Sequence, residues 1–541
     1  MAAVPSSKVF GQITVRGIVI GGDGQRPILA DAHVGKYNED KNLSAAYECS
    51  IEGKFEFTLP GPGIYSLRVS AVDHEEVTIP LVLQTNDKIV ELNVRLKPNP
   101  IDTTFKWIGA IGDWNNFDWS SPQTLTAIKD GDGNTIYTTE RTATGDTLSY
   151  QLLGITKGRS VNGNQANYFV YDGGGDYRSV FHTQRGNKRS ITFDPRFMKY
   201  PKNDSLPIVT VKNNMFLQKA IALSIKVDEM RNAAMVVPTQ GGPVTMSSAK
   251  VREMGEFVKA DFQKEISSGD MLSAQFAGVI RASQYSPNSF SFGADEAAQI
   301  LNVVPASSPF WAMANNQVWA LTGVVDSSFG HAYQKGLESN PDQSVRGTAL
   351  CYEMIAAHDA KNDIEWKRLY ELVKNDYSEV PMAKFTLVEY NPDAAVMVGK
   401  HVPDFEVTTL GGAGKVSDKS MLGKYYMIDF WATWCGPCVG EMASMHSAYE
   451  KFKGKKGFDI VSISMDAAEN NITPFRKKWK MPWTNAFIPG IWDAELAKKF
   501  EVASIPKPIL VGPDGTIVAM SESLRGDELE KTLSKYLGAS D

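Results

Sequence analysis

Met427-Ile428-Asp429-Phe430-Trp431-Ala432-Thr433-Trp434-Cys435-Gly436-Pro437-Cys438 is an apolar strand that runs straight into a Cys-x-x-Cys pair and a helix. Tyr425 to Phe430 is an aromatic and apolar run of strand length. Val439 to Phe452 carries Met442, Met445, Tyr449 and Phe452 at helical spacing before Gly454 ends it. Cys435 therefore stands where a helix begins. There the unpaired backbone N–H groups and the helix dipole favour an anion, so its thiol is expected to be acidified and to be the better nucleophile. Two intervening residues leave Cys438 one turn away, close enough to close a short disulfide.

The run Asp429-Phe430-Trp431-Ala432 followed by Trp434-Cys435-Gly436-Pro437-Cys438 resembles the active site of the thioredoxin superfamily. Ser504-Ile505-Pro506, about seventy residues on, resembles that family's second signature, with Ile509-Leu510-Val511 and the turn Pro513-Asp514-Gly515 after it. In the family the Ile-Pro bond here is cis beside the cysteines, a costly local choice that marks a site, and a hairpin follows. Val402-Pro403-Asp404-Phe405 and Glu441 narrow the resemblance to the TlpA/ResA-like thiol-disulfide oxidoreductases, which work outside the cytoplasm. The resemblance covers about the last quarter of the chain. It implies a thioredoxin-like α/β domain over residues 396–541 and a periplasmic or cell-envelope location. It also implies a disulfide-containing protein substrate, an upstream thiol donor, and no cofactor beyond the redox-active Cys435–Cys438 disulfide.

Within that domain Cys435 is expected to attack a substrate disulfide and Cys438 to resolve the mixed disulfide. Resolution requires that Cys438 lose its proton. Asp429, six residues before Cys435, matches the buried aspartate of thioredoxin, where burial raises the carboxyl pKa towards neutrality. Glu441, three residues after Cys438, shares that cysteine's helix face and matches the glutamate of the TlpA/ResA-like enzymes. Trp434, Ile505 and Pro506 are expected to contact the substrate. His446 reads as a surface residue, Lys507 stands where thioredoxins commonly have threonine, and Trp483 matches nothing in the family pattern.

A chain of 541 residues accommodates about four domains, and 43% hydrophobic content is ample for packed cores. The net charge of −6 excludes a basic footprint for nucleic acid or acidic membranes. No apolar run reaches the roughly 18 residues that span a bilayer, and Met1-Ala2-Ala3-Val4-Pro5-Ser6 lacks the basic start and apolar core of a signal peptide. A cytosolic protein or a chain whose leader was trimmed would both fit; the resemblance favours the second. Cys49 and Cys351 stand far from the redox pair and read as small buried hydrophobes, the alternative being a structural disulfide between them, which nothing in their spacing supports. The seven histidines are scattered, so no metal site is expected.

Upstream, the expected architecture is two β-sandwiches followed by an α-helical region. Residues 1–97 alternate strands (Phe10 to Ile20, Asp31 to Lys36, Lys54 to Leu59, Tyr65 to Ala71, Ile89 to Leu96) with turns at Gly21-Gly22-Asp23-Gly24, Glu52-Gly53 and Pro60-Gly61-Pro62-Gly63. The order of these segments resembles carboxypeptidase-regulatory or transthyretin-like modules. Pro98-Asn99-Pro100 reads as a linker. Residues 101–213 read as a second sandwich, in which Ile111-Gly112-Asp113-Trp114-Asn115-Asn116-Phe117-Asp118-Trp119 resembles a turn of starch-binding-like modules. Trp107, Trp114 or Trp119, if exposed, would suit a sugar ring; the alternative is that they are core. Residues 214–395 show helical spacing from Phe216 to Asn375, read as a packed spacer or a partner surface. Two further functional readings stay open: a thiol peroxidase, since Val402-Pro403-Asp404-Phe405 also occurs in related peroxidases, and a non-enzymatic envelope protein that binds a glycan or partner through its sandwiches.

Overall fold

The structure, a computed structural model, describes residues 11–21, 29–37, 45–50, 52–99, 105, 107–119, 121–155, 166–173, 175–197, 207–236, 245–286, 291–412 and 414–538. Met1 to Ser6, Phe10, Gly22-Asp23-Gly24 and Pro100, which enter the expectations above, lie outside those residues. The chain divides into two compact units, Met1–Arg346 and Gly347–Asp541.

In the first unit, Lys54–Leu59 alternates exposed and buried residues, so Phe55, Phe57 and Leu59 face inwards while Lys54, Glu56 and Thr58 face water. It pairs with Ile13–Ile20, which lies parallel to Ile89–Arg95. A second sheet runs in the order Ala45–Glu48, Ala30–Lys36, Gly63–Ala71, Val77–Leu83, and its Tyr47 stacks on Phe57 of the first. The following region forms a three-stranded and a five-stranded sheet. These share a core in which Leu148, Tyr150 and Leu152 of one meet Ile191 and Phe193 of the other. Ile208–Val211, expected inside the second sandwich, instead extends the first sheet by pairing with Ile89–Arg95. An exposed edge strand accepts whatever extended segment reaches it, and sequence order does not say which segment will.

Six helices complete this unit among the described residues, from Met215–Ala234 to Ser327–Leu337. The helical spacing expected from Phe216 to Asn375 is broken at a 3-10 turn, Pro309–Met313, which precedes the helix Asn315–Thr322. Ser327–Leu337 is helical although its two glycines lower helix propensity. Gly330 has a packing reason: a Cβ there would lie 2.2 Å from the Thr322 carbonyl oxygen.

The second unit opens with helices expected to belong to a separate region. Leu350, Cys351, Met354, Leu369, Tyr370 and Val373 pack with Val380 and Ala383 around the helix Pro381–Glu389. That last helix was missed in the sequence. Its successor is tied down by Glu501, whose carboxylate accepts the N–H groups of Ala395 (3.2 Å) and Val396 (3.1 Å). The expected boundary at 395/396 therefore falls inside a hydrogen-bonded joint.

The sheet that positions the cysteines has five strands: β1 (Tyr426–Trp431), β2 (Asp459–Ser464), β3 (Thr484–Phe487), β4 (Lys507–Val511) and β5 (Ile517–Met520), in the order β3-β2-β1-β4-β5. β1, β2 and β3 run parallel, while β4 and β5 run antiparallel. The hairpin between β4 and β5 turns at Pro513-Asp514-Gly515, where Gly515 adopts φ +84° and Asp514 accepts the Thr516 N–H at 3.0 Å. α1 (Gly436–Gly440), α2 (Met442–Phe452) and α3 (Gly526–Leu537) supply one covering layer, packing Cys438, Met442, Met445, Leu529 and Leu533 against Met427 and Trp431. Tyr426, Ile428 and Phe430 face the opposite core with Phe405 and Phe500. β1 is buried along its whole length, as a central strand covered on both faces must be.

Candidate active site

Strand alternation decides where Asp429 points. Met427, Asp429 and Trp431 share one face of β1, and that face is the one roofed by the cysteine helices. Asp429 sits opposite Ser462 of β2 and Pro508 of β4, and is 3% exposed. Burial pushes its carboxyl up to about 7; the nearby Glu441 adds to the rise and Arg525 opposes it.

After β1, Ala432-Thr433-Trp434 turns the chain into α1. A buried carboxylate holds this turn: Asp466 accepts the Thr433 hydroxyl at 2.6 Å and its N–H at 3.1 Å, and also accepts the Ser464 hydroxyl at 2.7 Å. Cys435 caps α1. Its sulfur accepts the Cys438 N–H at 3.1 Å and lies 3.7 Å from the Ile505 carbonyl oxygen. Cys435 and Cys438 are joined as a disulfide, with Cα atoms 5.3 Å apart. The Ile505–Pro506 peptide is cis. Beside the disulfide Trp434 is 54% exposed and meets the edge of Trp492, itself 42% exposed.

The helix expected from Val439 to Phe452 is interrupted. α1 ends at Gly440, and Glu441 forms the joint before α2 begins at Met442. Glu441 is consequently engaged on both oxygens. Oε1 accepts Arg525 Nε at 3.2 Å, and Oε2 accepts the Gly526 N–H at 2.8 Å and the Ser444 hydroxyl at 3.1 Å. Asp429, Cys438, Glu441 and Arg525 nevertheless line one cavity of about 10 Å³, walled by Met427, Met445, Pro506, Pro508 and Leu524. Such a volume holds a single water molecule at most.

Six of the seven expected site residues are thus gathered at this place: Asp429, Cys438, Glu441 and Pro506 around the cavity, with Cys435 and Ile505 in contact beside it. Trp434 stands on the outer side of Cys435. Three further residues had no signal in the local sequence: Asp466, which is 33 positions from Thr433, Arg525, which is 84 from Glu441, and Trp492. His446 differs from the surface reading. Its Nε2 lies 2.6 Å from the Trp479 carbonyl oxygen and its ring packs on the buried Trp483, whose indole N–H donates to Ser462 Oγ.

Lys507 follows the cis proline but points to the other face, beside Phe430. It is buried, donates to the Glu501 carbonyl at 2.6 Å and lies 3.8 Å from Glu389; burial pushes its pKa down. Cys49 and Cys351 are buried free thiols that burial pushes up to about 12 and about 11. Neither is a nucleophile near neutrality. Among the described residues no group of three or more His, Cys, Asp or Glu side chains is placed to hold a metal ion.

Residues 398–520 match the AhpC/TSA family. The chain is 30% identical over 155 residues to the thiol-disulfide oxidoreductase ResA of Bacillus cereus (strain ATCC 10987 / NRS 248), covering 28% of this chain and 85% of that protein. It is 34% identical over 130 residues to tryparedoxin of Trypanosoma brucei brucei, covering 24% of this chain and 88% of that one. A crystal structure of the thioredoxin domain of a thiol-disulfide oxidoreductase from Bacteroides vulgatus is 31% identical and covers 26% of this chain and 99% of its own, with a TM-score of 0.24.

Proposed function

The chain belongs, through its C-terminal quarter, to the thiol-disulfide oxidoreductase family that includes ResA, and on that basis we propose that Cys435 and Cys438 exchange disulfides with protein substrates in the cell envelope. The single observation that carries the residue assignment is the shared cavity, which brings a buried carboxyl near neutrality, Asp429, to the less accessible sulfur, Cys438. Cys435 is the attacking residue. It stands at the helix start with the Cys438 N–H aimed at its sulfur, a placement that stabilises a thiolate. Trp434 and the Ile505-Pro506 backbone contact the substrate on either side of it.

The cycle needs no cofactor besides the disulfide. The Cys435 thiolate attacks one sulfur of a substrate disulfide, forming a mixed disulfide and expelling the other sulfur as a thiolate. Cys438 then gives its proton to Asp429 and attacks Cys435, so the two-cysteine pair is oxidised and the substrate reduced by two electrons. An upstream dithiol donor restores the pair. Insulin reduction tests the reading: turnover should vanish in Cys435→Ser, and undiminished turnover there would refute the nucleophile assignment. The reduction potential in a defined thiol buffer assigns direction, a value near roughly −270 mV supporting a reductase and one near about −120 mV an oxidant. A peroxide-consumption assay with the same protein separates disulfide exchange from peroxidase activity.

A carbohydrate contact in the second β region is a separate proposal, supported by the exposed faces of Trp107 (46%) and Trp119 (50%). Trp114 is not part of it, being half-buried with Arg141 over its ring. Retention on soluble glycans by the full chain, lost in Trp107→Ala with Trp119→Ala, would support this; equal retention of both proteins would end it.

A further inference from the structure

Among the described residues Arg525 is the one cation lining the cavity that holds Cys438 and the two carboxylates. It reaches this place from the far end of the chain, at the turn between the 3-10 segment Ser521–Leu524 and α3. Its Nε donates to Glu441 Oε1, and its Nη1 donates outwards to Glu522 Oε1 at 2.8 Å. The next residue, Gly526, at φ +51°, adds its N–H to the other oxygen of Glu441. Arg525 and Glu441 are 28% and 19% exposed at their side chains, whereas Glu522 is 84% exposed. The inner contact is therefore the one shielded from water and salt.

The groups facing Asp429 can be named by element. Cys438 and Glu441 come from the α1–α2 side, Arg525 and the more distant Glu522 from the segment before α3, Ser462 from β2, and the non-titratable Pro506 and Pro508 from the β4 side. Two carboxylates and a thiol in a nearly closed space repel one another once ionised. With Arg525 present, moving the Cys438 proton onto Asp429 leaves the total charge of the cavity unchanged at one net negative. Without it the same transfer takes place against two.

We propose that Arg525 is a positioning residue for the resolving step: it occupies Glu441 as a fixed acceptor at the cavity edge and leaves Asp429 to take the Cys438 proton. This rests on the oxidoreductase reading above and deepens it. In the step, the Cys438 S–H bond breaks and an Asp429 O–H bond forms. The Cys438 sulfur then bonds to Cys435 Sγ as the bond from Cys435 to the substrate sulfur breaks. The substrate leaves as a thiolate and recovers a proton from Asp429 or solvent, and no further oxidant or reductant is needed. Glu441 acts here through charge and through Arg525.

The test uses the full reduced chain, a peptide disulfide, and acid-quenched single turnovers from pH 5 to 9, separating mixed-disulfide formation from its decay. In the wild type, decay should accelerate as pH rises through about 7, where Asp429 loses its proton. Arg525→Met should move that rise to higher pH by about one unit, slowing decay about tenfold at pH 6, and Arg525→Lys should restore most of it. Glu441→Gln removes a repelling charge and should move the rise the opposite way. Unchanged decay profiles in folded Arg525→Met, or in Glu441→Gln should the arginine variant not fold, would overturn the proposal while leaving the oxidoreductase reading intact. Absence of any mixed disulfide in the wild type would overturn both.

Discussion

Replacing Asp429 with asparagine should change how the stability of the redox sheet depends on pH. The native carboxyl is held at about 7, against 3.8 for an exposed aspartate. The folded state therefore binds this proton more tightly than the unfolded chain. Below the unfolded value both states are protonated and the group costs nothing. Between the two values the unfolded chain ionises first, so stability falls as pH rises, and above the folded value the cost levels off at about 4 kcal/mol. From pH 5 to pH 8 the wild type should lose about 2–3 kcal/mol through this group. With a urea slope of about 2 kcal/mol/M for a domain of this size, the midpoint moves by about 1 M. Asp429→Asn is neutral throughout and should lose this pH dependence, becoming the more stable protein at pH 8. Because the chain has two units, one global melt would mix transitions. Hydrogen exchange across urea, read on peptides covering 426–431 and 507–511, follows the sheet itself. An identical pH 5 to 8 midpoint shift in both proteins would refute the burial argument.

Cys438→Ser should stop the cycle after its first half, accumulating a mixed disulfide between Cys435 and substrate that intact-mass analysis detects; rapid spontaneous resolution would count against Cys438 as the second nucleophile. Thr433→Val removes one donor from the buried Asp466 carboxylate and should cost about 1–3 kcal/mol, seen as a lower urea midpoint for the peptide covering 426–435. In the other unit, Gly330→Ala forces a Cβ against the Thr322 carbonyl and should destabilise the pair Asn315–Thr322 and Ser327–Leu337 by about 1–3 kcal/mol, measured as faster exchange in those helices with the redox sheet unaffected.

Much of the site was legible because its logic is local. A strand has period two, so the burial and direction of Asp429 follow once β1 is recognised, and the two cysteines lie one helical turn apart whatever surrounds them. The helices of the first unit were legible for the same reason, except where glycines or a 3-10 turn broke the pattern at Pro309–Met313 and Ser327–Leu337. Residues that act across long separations were not. Thr433 and Asp466, Glu441 and Arg525, and Glu501 with Ala395 and Val396 carry no mutual spacing rule, because chain closure rather than helix or strand periodicity brings them together.

The sequence alone determined the chemistry: which two sulfurs, which strand and helix hold them, and which carboxylates stand within a few positions. Tertiary structure decided how the two carboxylates differ. Glu441 is met by Arg525 and the Gly526 N–H, whereas Asp429 is left buried beside Cys438. Burial and charge are sums over everything that folds around a group. The start of α3 reaches the cysteines only once the sheet has closed, so the division of roles between Asp429 and Glu441 belongs to the fold.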